Sequence, residues 1–476
     1  MYTKNTKIVC TLGPSSDSVK EIESITNAGM NVARLNFSHG NHESHAKLIR
    51  NIHKVEKLTD KTIGILQDLQ GPKIRIGEMP KEGVKIQSGK EFILTTKKVI
   101  GSSEEGNTPI IPIAYKDITK DVKKGDLILI NDGLIEAKII SVRKDKITCK
   151  VKTGGSVFKG NGINFPTASI SKAIITKKDK EDLKFGLKHE VDFVALSFVK
   201  SKKDIQDLRK LIGKIKNPPQ IIAKIERHEA VTNLKGIIQE ADGVMVARGD
   251  LGADIRPEQV PIIQKRIIAL ANKYGKPVIT ATQVLYSMVK NSRATRAEIS
   301  DAANAIFDHT DAIMLSNETA VGKYPVRSTT TLTRVASTVE KEMNKHEELL
   351  AKYSNSQKYM TSINATCLNA CELALDTRSN YLVAYSDEGF TAKLIAKYRT
   401  AIPIITVCSS KKIARQLTLV WGIEKVVVSP RIKKSKNKIS EITKLLVQEK
   451  LVKKNQKIVI VCNANRKERL ISTYKV

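Results

Sequence analysis

QIIAKIERHEAVTNLKGIIQEADGVMVARGD, residues 220–250, is the stretch on which the fold turns. QIIAKIE at its start and GVMV at 243–246 read as strands, with a helix between them. Side chains alternate faces along a strand, so Lys224 and Glu226 point the same way. An ammonium and a carboxylate therefore share one surface at the C-terminal end of an apolar strand. Asp250 arrives at the same end of the next strand, inside the turn Gly249-Asp250-Leu251-Gly252. In a parallel α/β barrel such strand ends open into the active-site mouth. Two hard carboxylate oxygens beside a lysine suit Mg²⁺ next to a phosphate. Two ordinary strand–helix turns with a solvated salt bridge would show the same spacing, so the rest of the chain must decide.

Outward from this stretch, strand and helix patterns alternate. IVCTL (8–12), VARLNF (32–37) and IGILQDL (63–69) precede it as strands, with helical patterns from Ser18 to Ala28 and from Glu43 to Leu58. Between Gly71 and Ser171 the pattern changes to short alternating runs broken by Gly-Asp, Asn-Asp-Gly and Lys-Asp turns, with no helix among them. Alternation resumes at 172 with strands FVALSF (193–198), IIAKIE (221–226), GVMV (243–246), VITATQ (278–283) and AIMLS (312–316). Three strands before the insert and five after it make the eight that close a (β/α)8 TIM barrel. A polar stretch from Glu340 to Lys358 marks a boundary, after which YLVAYS, IPIITVC, KVVVS and KIVIVC alternate with helices. The expected architecture is α/β: a barrel from 1–70 and 172–343, an inserted small antiparallel β-barrel lid at 71–171, and a C-terminal open α/β domain at 344–476.

Composition narrows the function. At 476 residues with 41% hydrophobic content, the chain is long enough for about three domains, and no stretch has the uncharged apolar length of a membrane span. The N-terminal MYTKNTKIVCTLG runs straight into strand sequence, so a cytoplasmic protein is expected. The six cysteines are scattered, with Cys367 and Cys371 one helical turn apart, as suits core packing in a reducing compartment. A net charge of +32 raises the question of nucleic acid, but the lysines are dispersed and aromatics make up only 4%. Small anionic substrates account for the charge equally well, and no specific nucleic-acid partner is expected.

The second strand ends in Arg34-Leu35-Asn36-Phe37-Ser38-His39-Gly40. Arg34, Asn36 and Ser38 alternate onto one face, and Asp68 ends the third strand, which together make an anion-binding arginine beside an oxygen-rich cation pocket. His39, His42 and His45 read better as a solvated helix start than as metal ligands.

TLGPSS (11–16), NVARLNFSHG (31–40), GPKIR (71–75), AKIE (223–226), ARGDLG (247–252), ATQ (281–283), TRAE (295–298) and SDAANAI (300–306) resemble, in order and along the whole chain, the pyruvate kinase family. The resemblance implies phosphoryl transfer from phosphoenolpyruvate to ADP, giving pyruvate and ATP, with Mg²⁺ (or Mn²⁺) held by Glu226 and Asp250. It implies that Lys224 and Arg34 meet the phosphoryl charge, that the N–H groups of Gly249 and Asp250 receive the substrate carboxylate, and that Thr282 protonates the enolate through water. It places Pro14, Asn36, His39 and Arg75 near the nucleotide and makes the β insert a lid. Asn36, Ser38, Asp68 and the carbonyl of Leu69 match the family's K⁺ ligands.

Departures from the family pattern matter. Members that need K⁺ carry Asp-Thr-Lys-Gly-Pro-Glu where this chain has Asp68-Leu69-Gln70-Gly71-Pro72-Lys73. The likeness is to members that work without K⁺, with the Lys73 ammonium expected in the K⁺ position, since both are compact monocations satisfied by oxygens. Asn161 replaces a lid lysine, with Lys159 two places earlier; Tyr286, Ser292, Ala294 and Asn317 replace an acid, two prolines and a glycine. The family is commonly a homotetramer, and TRAE matches a stretch near its barrel–barrel contact. Asp387 and Glu388, in a loop that binds fructose 1,6-bisphosphate in activated relatives, argue against that effector here. Two other readings stand beside this one: a different barrel enzyme handling an enolate, such as an aldolase or lyase, and a non-catalytic polyanion binder.

Overall fold

Eight strands form a closed barrel: Lys7–Thr11, Val32–Asn36, Gly64–Asp68, Phe193–Leu196, Gln220–Ile225, Gly243–Ala247, Val278–Ala281 and Ala312–Leu315. Neighbours pair in parallel in sequence order, and the last closes on the first. The computed structural model describes residues 4–102, 108–131, 133–343, 361–463 and 469–476. The barrel helices start where side chains can accept first-turn N–H groups, at Ser18, Asn41, Thr176 and Thr295. TRAE is one such start: the Thr295 hydroxyl accepts from the Glu298 N–H and the Glu298 carboxylate accepts from the Thr295 N–H.

Inside the barrel, Val9, Val32, Leu66, Phe193, Ile222, Met245, Ile279 and Met314 pack into one apolar cluster. Leu419, from the C-terminal domain, belongs to the same cluster and is fully buried. The barrel floor is therefore closed by a residue more than a hundred positions beyond its last strand. Arg415 grips Glu56 at 2.6 and 3.0 Å, and Arg399 meets Asp311 at 2.9 Å under the ring of Trp421, so the two domains share ion pairs as well, the second of them buried.

The insert is a six-stranded sheet and a two-stranded ribbon around one apolar core. Its ladders are antiparallel except where Glu91–Thr95 pairs with Ile110–Pro112 in parallel. The sequence showed no helix here, but Ile118–Asp121 forms one turn, with Ile118 buried. Four residues are too short to show a helical period.

The C-terminal sheet has five strands, in the order Ile423–Val428, Ile404–Cys408, Tyr381–Tyr385, Lys457–Asn463 and Arg469–Lys475. The last is antiparallel and went unread in the sequence, because an edge strand paired on one side carries mixed polarity. Glu340 is also corrected. It is buried in the helix Pro325–Met343 rather than opening a polar boundary, and its carboxylate accepts the N–H groups of Asn5 and Thr6, each at 2.6 Å. The rest of that expected boundary, 344–360, lies outside the described residues. Cys367 and Cys371 are buried on the helix Ser362–Asp376, and all six cysteines are free thiols.

Candidate active site

Strands three, four and five deliver the centre of the mouth. Lys224 Nζ lies 3.2 Å from Asp68 Oδ1, 3.0 Å from Glu226 Oε1 and 2.8 Å from Ser197 Oγ, so each of its three N–H directions has an acceptor. Burial alone would push this lysine's pKa down, but Asp68 and Glu226 outweigh it and hold the group protonated. Asp68 is buried and also takes Arg34, whose Nε and Nη2 each stand 2.7 Å from Oδ2. Burial opposes ionisation there too, yet Lys224 and Arg34 bring the carboxyl below its ordinary value. Arg34 Nη1 donates to Thr11 Oγ1 at 2.9 Å, which fixes the guanidinium across the first two strand ends.

Glu226 is 1% exposed, and its Oε2 accepts the Phe198 N–H at 2.8 Å. Burial and the nearby Asp250 push its carboxyl up against the pull of Lys224. A buried carboxylate made costlier to charge by a second carboxylate nearby is what a divalent cation relieves, and the hard oxygens of the two fit Mg²⁺ or Mn²⁺. Asp250 sits in the first turn of the short helix Arg248–Gly252.

Thr282 follows the seventh strand with φ of 73°, and Gln283 with φ of 54°. A β-branched residue in the left-handed region is strained and persists only where its surroundings enforce it. Arg248 does so here. Its Nη2 donates to the Thr282 carbonyl at 2.8 Å, its Nε reaches the Ala281 carbonyl at 3.2 Å, and its Nη1 pairs with Asp301 at 2.7 Å. A Cβ on Gly249 would lie 3.0 Å from Thr282 Cγ2, so a bare α-carbon lets this turn approach. Arg248, Asp301, Ser197 and Thr11 were not singled out in the sequence. Arg248, Asp301 and Thr11 lay in quoted motifs, ARGDLG, SDAANAI and TLGPSS, but only the fold shows what they hold.

The expected monovalent position is occupied differently from the sequence reading. Lys73 does not stand among Asn36, Ser38, Asp68 and Leu69; its Nζ is 2.7 Å from Asp250 Oδ1. Both Asp68 oxygens already face cations, the Leu69 carbonyl accepts Ser197 Oγ at 2.8 Å, and Asn36 Oδ1 accepts the Ser38 N–H at 3.1 Å. The ammonium goes to the carboxylate that these contacts leave over.

On the nucleotide side, Pro14 and His39 are exposed at the ends of the first two strands. Arg75 lies at the lid root, with Nη1 on the Gly160 carbonyl at 2.9 Å. Asn161 does not reach into the cleft as a lid lysine would; its Oδ1 closes a turn by accepting the Phe158 N–H at 2.8 Å, and Lys159 pairs outward with Glu78 at 2.8 Å. His42 Nε2 meets Asp182 at 2.7 Å, while His45 stacks on Phe37 with centroids 4.0 Å apart and bonds the His39 carbonyl at 3.0 Å, so the His42 and His45 rings have separate partners. A cleft open to solvent runs between insert and barrel along Lys73, Ile163, Phe165, Lys172, Glu226 and Asp254.

A closed barrel with buried cations and carboxylates at its strand ends, beside a β insert, suits an enzyme of phosphorylated, anionic small molecules. Comparison with known proteins makes the class specific. The family profile for the pyruvate kinase barrel domain matches residues 3–329, and that for the pyruvate kinase alpha/beta domain matches 364–476. Pyruvate kinases of Staphylococcus epidermidis and Staphylococcus aureus are each 43% identical over 431 residues, 90% of this chain and 72% of theirs. A crystal structure of a pyruvate kinase from Cryptosporidium parvum superposes with a TM-score of 0.91 at 36% identity, covering 99% of this chain and 96% of that one. The chain belongs to the pyruvate kinase family, whose members move the phosphoryl group of phosphoenolpyruvate to ADP and leave pyruvate and ATP, with a divalent metal.

Proposed function

We propose a division of that reaction among the residues at the barrel mouth. Arg34 and Lys224 face the transferring phosphoryl group, their charges fixed in place beforehand by Asp68, so little reorganisation is needed when negative charge shifts from the attacking ADP oxygen to the departing enolate oxygen. Glu226 and Asp250 would hold Mg²⁺, which when bound would supply positive charge to the substrate oxygens. The first-turn N–H groups of Gly249 and Asp250 receive the substrate carboxylate. Thr282, held strained by Arg248, hands a proton through water to the enolate carbon once the phosphoryl group has left. Pro14, Asn36, His39 and Arg75 border the nucleotide, and the β insert closes over both substrates to exclude water. The observation that carries this reading is Lys224 held at hydrogen-bond distance by Asp68, Glu226 and Ser197 in the mouth. An aldolase or lyase, or a polyanion binder, would leave the matches over the lid and C-terminal domain unexplained.

A coupled assay of pyruvate formation with each cation omitted in turn tests it. Activity is expected to vanish without a divalent metal and to persist in tetramethylammonium buffer without K⁺. Lys73 already supplies a monocation of the chain's own to the cleft, and it stands where K⁺-requiring relatives carry a glutamate, which shifts the local charge by two units. Stimulation of a hundredfold by K⁺ would overturn the second expectation. Fructose 1,6-bisphosphate is expected to leave the half-saturating phosphoenolpyruvate concentration unchanged.

The assembly we propose is a cytoplasmic homotetramer with two-fold axes. Thr295, Arg296 and Ala297, at the start of the helix Arg296–Phe307, are exposed, as a barrel–barrel contact would require. Light scattering at micromolar concentration should give four times the chain mass, and a monomeric mass would refute it. Among the described residues no helix is long and apolar enough to cross a membrane.

A further inference from the structure

Lys73 lies at the root of the lid, yet its ammonium is on a barrel carboxylate proposed to bind metal, 2.7 Å from Asp250 Oδ1. The pair is sheltered, with side chains 20% and 25% exposed. The returning lid strand shapes the lysine's path. A Cβ on Gly162 would come within 2.9 Å of Lys73 Cε, and Gly162 bridges Arg75 two residues along. The stem thus passes over a bare α-carbon of one lid segment to reach the barrel. Electrostatics favours this placement: Arg34, Lys224 and Lys73 equal Asp68, Glu226 and Asp250 in number and oppose them in charge, and Asp250 is the carboxylate left over by the other two cations.

We infer that Lys73 is a built-in competitor for the divalent-cation site: binding of the metal at Asp250 is an exchange in which the ammonium leaves the carboxylate. This rests on the reading of Glu226 and Asp250 as metal ligands. The exchange ties metal loading to the lid, because the displaced group belongs to the lid root and lies against Gly162. Substrate anions favour the exchanged state, since a divalent ion together with a freed ammonium gives the cleft a net positive charge that phosphoenolpyruvate neutralises.

Mn²⁺ binding to the chelator-treated, full-length enzyme without substrates, followed by the electron paramagnetic resonance of the free ion, tests the inference. Lys73→Met is expected to bind Mn²⁺ about three- to tenfold more tightly than wild type, and Lys73→Arg, which keeps the charge, to stay near wild type. In wild type, acetylation of Lys73 measured by mass spectrometry is expected to rise on saturation with Mn²⁺. Unchanged or weaker binding by Lys73→Met, or labelling of Lys73 that Mn²⁺ does not alter, would overturn the exchange. Glu226→Gln in the same titration separates the two readings. If it leaves Mn²⁺ affinity intact, the metal-site assignment fails and the exchange falls with it; if it weakens binding while Lys73→Met changes nothing, only the exchange fails.

Discussion

Lys224→Met is expected to lower kcat by about 10²–10³ or more, the typical effect of losing one preorganised charge aimed at the transition state. The change removes the ammonium that Asp68, Glu226 and Ser197 hold in the mouth and replaces it with a stem of similar length. Arg34 still satisfies Asp68, so the barrel should fold, and circular dichroism should match wild type. Mn²⁺ binding should be retained or strengthened, because a cation beside Glu226 is gone. Near-normal kcat in a folded Lys224→Met enzyme would sink the proposed role. Loss of the fold would show as loss of Mn²⁺ binding together with activity, and the two outcomes are distinguishable in one preparation.

Asp68→Asn should have the largest effect on stability. The carboxylate is 1% exposed and lies between two cations, and the amide keeps its shape while leaving Arg34 without its counter-charge and Lys224 with Glu226 alone. Breaking a buried pair by removing one partner costs about 3–5 kcal/mol, because the remaining charge is stranded. At 2–4 °C per kcal/mol for a domain of 150–250 residues, the barrel's melting transition should fall by roughly 6–20 °C. The pH dependence has a definite sign. The Asp68 carboxyl is held below its ordinary 3.8 in the fold, so its contribution is full above about that pH and is lost as pH falls below it, through the lower value of the folded state. The gap between wild type and variant should therefore be widest near neutrality and narrow in acid. An unchanged melting temperature at pH 7 would show that the two cations do not depend on Asp68.

Much of this architecture was legible in the chain. Eight apolar runs, interrupted once by a stretch of different periodicity, determine an eight-stranded parallel barrel with an insert, because each run buried on both faces must be apolar along its length. Period-2 alternation put Lys224 and Glu226 on one surface, and the TIM-barrel rule placed that surface at the mouth. What alternation cannot supply is the partner across the ring. Asp68 between Arg34 and Lys224, or Arg248 forcing Thr282 to a φ of 73°, joins residues far apart in sequence that only barrel closure brings within 3 Å or so. Leu419 in the barrel floor and Glu340 capping the backbone of Asn5 and Thr6 are of the same kind: one reads as an ordinary apolar residue of a later domain, the other as a polar boundary. Lys73 shows the limit most directly. Its sequence position placed a monocation in the mouth, but which carboxylate it reaches depends on which are already neutralised, and that is settled by three-dimensional charge balance, not by order along the chain.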